Sequence, residues 1–268
     1  MSLRIQTNVE ALNAHRNLVG VNEQVSKSME RLSSGYRINR ASDDAAGLAI
    51  SEKMRAQIRG LGQDQRNIQD GVSLVQTAEG ALQTVHSMLQ RVSELAVQFK
   101  NGTLSASNQS AIQSEVAQLA SEIERIGTTT QFNGICLLNN TSTVSFQVGA
   151  NDGEVISVAM ISLGATVSNQ FYQLSTSGTA DISEIDNAID AVSSQRAALG
   201  AVQNRLEYSL DNVGIYQENL VSAESRIRDV DMAAEMVTFT KYQVLQQAGT
   251  SMLAQANQSS QTVLSLLR

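Results

Sequence analysis

The stretch Ile185–Ile227, "IDNAIDAVSSQRAALGAVQNRLEYSLDNVGIYQENLVSAESRI", decides the fold. Ile185, Val192, Leu199, Leu206, Val213, Leu220 and Ile227 recur at intervals of seven, with Val202, Tyr216 and Ala223 flanking the stripe. A repeat of that period, sustained over that length, keeps one seam of a helix turned toward a partner helix, as in coiled-coil packing. Such a helix runs about 65 Å at 1.5 Å per residue, whereas a compact globule of this chain length has a radius of gyration of only ~18 Å. The spacing predicts a rod.

Partner helices are written earlier in the chain. Ile68, Val72, Val75, Leu82, Val85, Leu89, Val92, Ala96 and Phe99 follow three-and-four spacing, and Ile112, Val116, Leu119, Ile123 and Ile126 repeat it. The break between them, "KNGTLSASN" from Lys100 to Asn108, carries turn chemistry at Asn101-Gly102. Three helices that bundle are expected. Between the helical halves, Val144, Phe146 and Val148 alternate, "GANDG" turns, and Ile156, Val158 and Met160 alternate back, which predicts a β-hairpin around 143–163. A Ser, Thr and Gly-rich stretch around 164–180 has no clear period and reads as a surface connection.

Composition narrows the function classes. The chain has no proline and no tryptophan, and aromatics make up only 4% of its 268 residues, so neither a turn-rich β-protein nor an aromatic pocket is expected. Its net charge of −7 offers no bulk attraction to phosphate backbones, and no basic run supplies a local one, so nucleic acid is not an expected partner. Cys136 has no second cysteine to bridge to, and no Cys/His cluster has a zinc spacing. No stretch reaches the ~18 consecutive apolar residues of a spanning helix, so no membrane partner is expected. The start "MSLRIQTNVEALNAHRNL" lacks the apolar region of a cleaved secretory signal. The expectation is a soluble protein, or one exported by a route that leaves no such signal.

Catalysis has no support. There is no Gly-rich phosphate loop and no "HExxH" motif, and His15 and His86 are isolated on helical faces. No catalytic, metal or cofactor site is expected.

The two ends mirror each other. Val9, Leu12, Val19, Val25, Met29 and Leu32 mark one helix face, and Tyr242, Leu245, Gly249, Met252, Ala256, Ser259, Val263 and Leu266 step by three and four. Three of the eight positions of the second stripe, Gly249, Ala256 and Ser259, are small residues, so it buries little apolar area. Ordering a helix backbone costs about 1–2 kcal/mol per residue, and such lean helices need neighbours. The segment "RASDDAAGLAISEKMR", Arg40–Arg55, lies between the first helix and the next. Gly35 suits a left-handed C-terminal cap, Asp43 an N-cap, Asp44 the first turn, and the Ala and Gly residues a packing surface.

At these residues the chain resembles a known family. "LSSGYRINRASDDAAGLAISEKMRAQIRGL", Leu32–Leu61, closely resembles the N-terminal signature of bacterial flagellins, and "IRDVDMAAEMVTFTKYQVLQQAGTSMLAQANQSSQTVLSLL", Ile227–Leu267, resembles their C-terminal signature. "TQFNG", Thr130–Gly134, and "FQVGANDGE", Phe146–Glu154, are also flagellin-like. Cys136 and Ser260 depart from the usual pattern, Ser260 where many flagellins have proline.

The resemblance implies a mainly α protein, an elongated rod of long coiled-coil-like helices with a small β-hairpin and paired N- and C-terminal helices. Residues 1–43 and 228–268 would form the filament inner core and 44–227 a helical rod domain, with no large outer domain. It implies a structural subunit that self-polymerises into the flagellar filament for motility, is exported unfolded and is assembled at the distal tip, outside the cell. The implied partners are other flagellin subunits, an export chaperone, and the filament cap and hook–filament junction proteins. The filament interface is expected at Val9, Leu12, Val19, Leu245, Met252, Ala256, Val263 and Leu266.

"QRVSELAVQ", Gln90–Gln98, further resembles the flagellin segment recognised by Toll-like receptor 5, which implies contacts from Gln90, Arg91 and Leu95, with Glu115 on the following helix. Ser93 stands where an arginine is common. The alternatives are a hook–filament junction protein of the same superfamily and, from a different class, the cytoplasmic bundle of a chemotaxis receptor. The central hairpin argues against the latter, and the intact "DDAAGLAISEKMR" and "MLAQANQ" stretches argue against the former. Asn101-Gly102-Thr103 and Asn139-Asn140-Thr141 match the N-glycosylation pattern, which is short and common by chance.

Overall fold

A computed structural model describes residues 8–160, 162–163 and 181–266, with side chains described as far as residue 258. The surface connection expected at 164–180 therefore lies outside the described residues. The helices are α1 (Val9–Ser34), α2 (Ala45–Phe99), α3 (Ala106–Thr129), α4 (Asp181–Arg228) and α5 (Met232–Leu266). Strands β1 (Gln131–Phe132) and β2 (Ile135–Cys136) form one antiparallel hairpin, and β3 (Thr143–Gln147) and β4 (Val155–Ala159) a second. With no proline to remove a ladder hydrogen bond, α2 continues for 55 residues and α4 for 48. The fold is mainly α, as the periodicity predicts. Among the described residues no helix is long and apolar enough to cross a membrane.

The chain divides into two compact units, residues 57–218 and residues 1–56 with 219–268. In the first, α2, α3 and α4 supply the stripes read from the sequence. Ile68, Val75, Leu82, Val85, Leu89, Val92, Ala96 and Phe99 are buried on α2, Ile112, Val116 and Ile123 on α3, and Ile185, Val192, Leu199, Leu206 and Val213 on α4. Val72, Leu119 and Ile126 are half-buried. The α4 stripe continues into the other unit only half-buried, at Leu220 and Ile227, and Tyr216 beside it is exposed.

The long hairpin has the expected alternation. Ile156, Val158 and Met160 turn inward while Val155 and Ser157 face out, and Phe146 pairs with Ile156 in the register Thr143↔Ala159 to Gln147↔Val155. Its seat on α2 is shaped by absent side chains. A Cβ on Gly71 would lie 3.3 Å from the Phe146 ring and 3.4 Å from Leu206, and one on Gly60 would lie 3.2 Å from Ala150. Polar ties complete the seat: the Asn67 amide donates to the Gln147 carbonyl (3.3 Å), and Gln195 of α4 donates to that of Ala159 (3.2 Å). Asp64 is buried near this hairpin with one carboxylate oxygen unpartnered, and desolvation together with the charge of Glu154 pushes its carboxyl up. The short hairpin β1–β2 escapes a period-2 reading because each strand has two residues. Its signal is the dipeptide Asn133-Gly134, both at positive φ (50° and 80°), as a two-residue type I′ turn requires.

In the second unit, local chemistry sets each helix end. Asn8 caps α1 by accepting from the Ala11 N–H (3.0 Å), and Gly35 closes it at φ 75° with its N–H on the Arg31 carbonyl. Asp231 caps α5 through the N–H groups of Ala233 and Ala234. The acid pair divides its work differently from the expectation. Asp44, not Asp43, caps α2 by accepting from Gly47 N–H (2.8 Å), because Asp43 is engaged by the Asn39 and Arg40 N–H groups and by Lys27 (2.8 Å). Of the small residues expected to pack, only Gly47 is buried, between Asp44 and Ile38; Ala45, Ala46 and Ala49 are exposed. The connections pair with each other: Arg37 donates its N–H to Arg228 (2.7 Å), Val230 donates to Gly35 (3.0 Å), and the Arg228 guanidinium lies 5.0 Å above the Tyr36 ring.

Two predictions follow from this packing. Leu206→Ala removes a fully buried stripe residue and is expected to cost about 2–5 kcal/mol in urea unfolding, while Tyr208→Ala, at an exposed neighbouring position, changes stability by less than ~0.5 kcal/mol. Equal losses would contradict the stripe. The Lys27 ion pair and the backbone donors hold the Asp43 carboxyl down from its ordinary 3.8 to about 2. A depressed folded-state value stabilises above pH 3.8 and is lost as pH falls through about 2. Asp43→Asn is therefore expected to be less stable than the parent at pH 6, with the difference shrinking below pH 3.8 in acid titrations followed by circular dichroism.

Candidate assembly surface

Helices α1 and α5 pack antiparallel. The contacts advance evenly: the Asn8 amide donates to the Ala256 carbonyl (2.9 Å), Leu18 fills the space over Gly249, Gln246 donates to Asn22 (2.8 Å), and Arg31 pairs with Glu235 (3.6 Å). Each step toward the C-terminus of α1 is matched by a similar step toward the N-terminus of α5. Along α1 the half-buried or buried positions include Ala11, Ala14, Leu18, Val21, Val25, Ser28 and Leu32; along α5 they include Glu235, Phe239, Tyr242, Gln246, Gly249, Leu253 and Ala256. Both sets step by three and four, so the shared seam is itself a heptad seam.

This seam takes only part of the stripes read from the sequence: Val25 and Leu32 of α1 and Tyr242, Gly249 and Ala256 of α5. Val9 (49%), Leu12 (56%), Val19 (44%), Leu245 (43%) and Met252 (65%) are exposed beside it. Ala256 differs, since it is half-buried and its carbonyl receives Asn8. Val263 and Leu266 belong to α5, in the part whose side chains lie outside the described residues. The structure adds Met232, Met236, Val237 and Val244 to the exposed apolar surface of α5. A single helical stripe misses them because the apolar residues of α5 occupy more than one face, and only the position of α1 decides which face is covered. These exposed apolar side chains make the flank of the terminal pair the candidate assembly surface.

The second set of expected contacts lies in the unit 57–218. Gln90, Arg91 and Glu115 are exposed. Arg91 donates from Nε and Nη2 to Glu115 (3.2 and 3.0 Å) and from Nη1 to Glu94 (3.1 Å), and these partners push its guanidinium pKa up. Leu95 is 2% exposed, within the core beneath this ridge, so it presents no surface of its own. Helical spacing explains this: Leu95 lies three residues after Val92 and four before Phe99, both buried on the covered side of α2. His86 is half-buried beside Gln90, and Cys136 is half-buried. Among the described residues no group of three or more His, Cys, Asp or Glu side chains is arranged to hold a metal ion.

Long unbroken helices, a hairpin seated on glycines, and paired terminal helices with an uncovered apolar flank define a mainly helical protein whose terminal pair is its candidate assembly surface. Residues 5–143 match the bacterial flagellin N-terminal helical region and residues 182–267 match the bacterial flagellin C-terminal helical region. The chain is similar to a flagellin of Halalkalibacterium halodurans, 55% identical with 98% of this chain and 99% of that protein covered. It is also similar to a flagellin of Bacillus subtilis (48%, covering 99% and 100%) and to a flagellar filament 33 kDa core protein of Treponema phagedenis (48%, covering 98% and 99%). Among solved structures, the crystal structure of Bacillus cereus flagellin is similar at a TM-score of 0.51 and 30% identity, covering 55% of this chain and 88% of that one. The chain belongs to the bacterial flagellin family. Only residues 144–181 separate the two family regions, a span largely taken up by β3, β4 and the connection after them, so this is a short form without a large outer domain.

Proposed function

We propose that this chain is the structural subunit of a bacterial flagellar filament, self-polymerising through the flank of its terminal helix pair. The observation that carries the reading is the exposure of Val9, Leu12, Val19, Leu245 and Met252 beside a seam that is already satisfied within the chain. Copies docking there bury apolar area at about 25 cal/mol per Å², and the spacing of the sequence assigns Val263 and Leu266 to the same proposed interface. Ala256 contributes by keeping α5 seated on α1. Residues 1–43 and 228–268 would then form the inner core of the filament and 44–227 its helical rod domain.

Family likeness extends this to export partly unfolded through the flagellar channel, with an export chaperone, and to addition at the distal tip beside cap and junction proteins, outside the cell. A chain without proline or a disulfide-forming cysteine pair suits threading and refolding, since slow isomerisation and covalent loops are both avoided. A junction protein or a receptor bundle finds no comparable support.

Recognition by Toll-like receptor 5 is proposed at the Gln90, Arg91 and Glu115 ridge, with Leu95 shaping it from beneath. The exposed, mutually oriented Arg91 and Glu115 suit a charge-complementary partner.

Two measurements check these readings. Leu245→Glu with Met252→Glu puts charge on an exposed flank, so the monomer should keep its helical circular dichroism while sedimentable polymer falls by at least about tenfold; normal filaments would refute the interface. Monomeric Arg91→Ala is expected to activate the receptor about tenfold less than the parent at unchanged thermal stability, and parental activation would remove the ridge from consideration. Leu95→Ala is a poorer probe, because a buried truncation disturbs the fold as well.

A further inference from the structure

The apolar pattern of the terminal pair does not by itself fix how α1 and α5 align. A seam built on three-and-four steps repeats every seven residues, so sliding one helix by a heptad returns apolar positions to apolar positions. One slipped arrangement is sterically easy. It sets Leu18 over Ala256 instead of Gly249, Val25 over Gly249, Leu32 over Tyr242 and Ser28 beside Gln246. Every one of these meetings joins a small residue to a large one, an apolar pair, or two polar groups. The opposite slip sets Leu18 against Tyr242 and is resisted by volume alone.

The easy slip breaks the backbone ties between the two connections, Val230 N–H to the Gly35 carbonyl and Arg37 N–H to the Arg228 carbonyl, and within the seam itself it breaks one ion pair. Glu235 is 8% exposed, with Oε2 3.6 Å from Arg31 Nη1. Its Oε1 has no other partner among the described residues, and neither does Arg31 Nε. Moved by a heptad, Glu235 passes beyond the Gly35 end of α1 and Arg31 faces the ring of Tyr242. We propose that Arg31 and Glu235 are the register pin within the seam of the terminal helix pair, the side chains that, with the backbone ties at its closed end, select the observed alignment over its one-heptad competitor. A polar group at a seam position commonly sets register at some expense in stability, and the incomplete satisfaction of Glu235 fits that trade. The consequence rests on the proposed assembly function. A heptad slip moves Leu245 and Met252 by about 10 Å relative to Val9, Leu12 and Val19, which dismantles the flank a neighbouring subunit would meet.

Register can be read chemically in the full-length chain. A Cβ on Gly249 stands 4.0 Å from that of Leu18, within the ~3.5–4.5 Å of a relaxed disulfide. In a Cys136→Ser background, the pair Leu18→Cys with Gly249→Cys reports the observed alignment, and Leu18→Cys with Ala256→Cys reports the slipped one. Replacing Leu18 also removes the one side chain that crowds a Cβ at Gly249. Dilute monomers oxidised under identical conditions are expected to cross-link almost wholly through the first pair. Glu235→Gln, which keeps the side-chain volume, should lower the ratio of first to second cross-link by about tenfold, as should Arg31→Glu. Combining Arg31→Glu with Glu235→Arg should restore the parental ratio.

An unchanged ratio in Glu235→Gln and Arg31→Glu overturns the pin, as does a charge-swapped double variant that fails to recover. Should Arg31→Glu lose both cross-links together with its helicity, recovery in the double variant still establishes the pairing and its absence refutes it. Filament formation, scored separately by sedimentation, distinguishes the two ideas: parental cross-link ratios with no polymer from any parent chain would sink the assembly reading and leave the pin intact.

Discussion

Two helices stay in contact over many turns only when the apolar residues of each return to the same face, and every part of this molecule depends on that constraint. In the unit 57–218 the stripes of α2, α3 and α4 are rich in Leu, Ile and Val and most of their positions are buried. Burial of whole aliphatic side chains, at about 1.5–3 kcal/mol each, dominates there. The hairpin rests on this foundation, held where Gly60 and Gly71 leave room for Ala150 and Phe146.

The terminal pair obeys the same geometry with different chemistry. Its seam mixes Ala, Gly, Ser and Gln with Leu, Val and Phe, and almost all of it is half-buried. A seam of that kind stabilises modestly and discriminates poorly between alignments, so polar contacts at Asn8, Asn22 and Arg31 acquire weight they would lack in a thick core. Meanwhile large apolar side chains such as Met252, Val237 and Val244 stay in water. A thin internal seam and a rich external flank fit the proposed assembly, in which docking of other copies would complete the stability of this segment.

The legible parts of the sequence were those governed by period and local capping. The heptads at Ile185–Val213, the alternation at Ile156–Met160, the left-handed Gly35 and the break at Lys100–Asn108 each follow from steric rules acting within a few residues. The family signatures at Leu32–Leu61 and Ile227–Leu267 were equally legible, because they are strings of particular residues. Less legible were features that depend on what sits opposite. Asp44 takes the cap because Lys27 of another helix claims Asp43, and Leu95 is hidden although its neighbours on the ridge are exposed.

By itself, then, the amino-acid order determined a proline-free, long-helix protein with one extended hairpin and amphipathic ends, since helical period, strand alternation and turn chemistry are properties of short stretches. Only the tertiary structure decided which face of α5 is covered. Tyr242, Gly249 and Ala256 lie in the seam while Leu245 and Met252, on the same apparent stripe, lie outside it. The physical reason is that a helix carrying apolar residues on several faces has no preferred side until a partner of fixed length and position, here α1, occupies one of them.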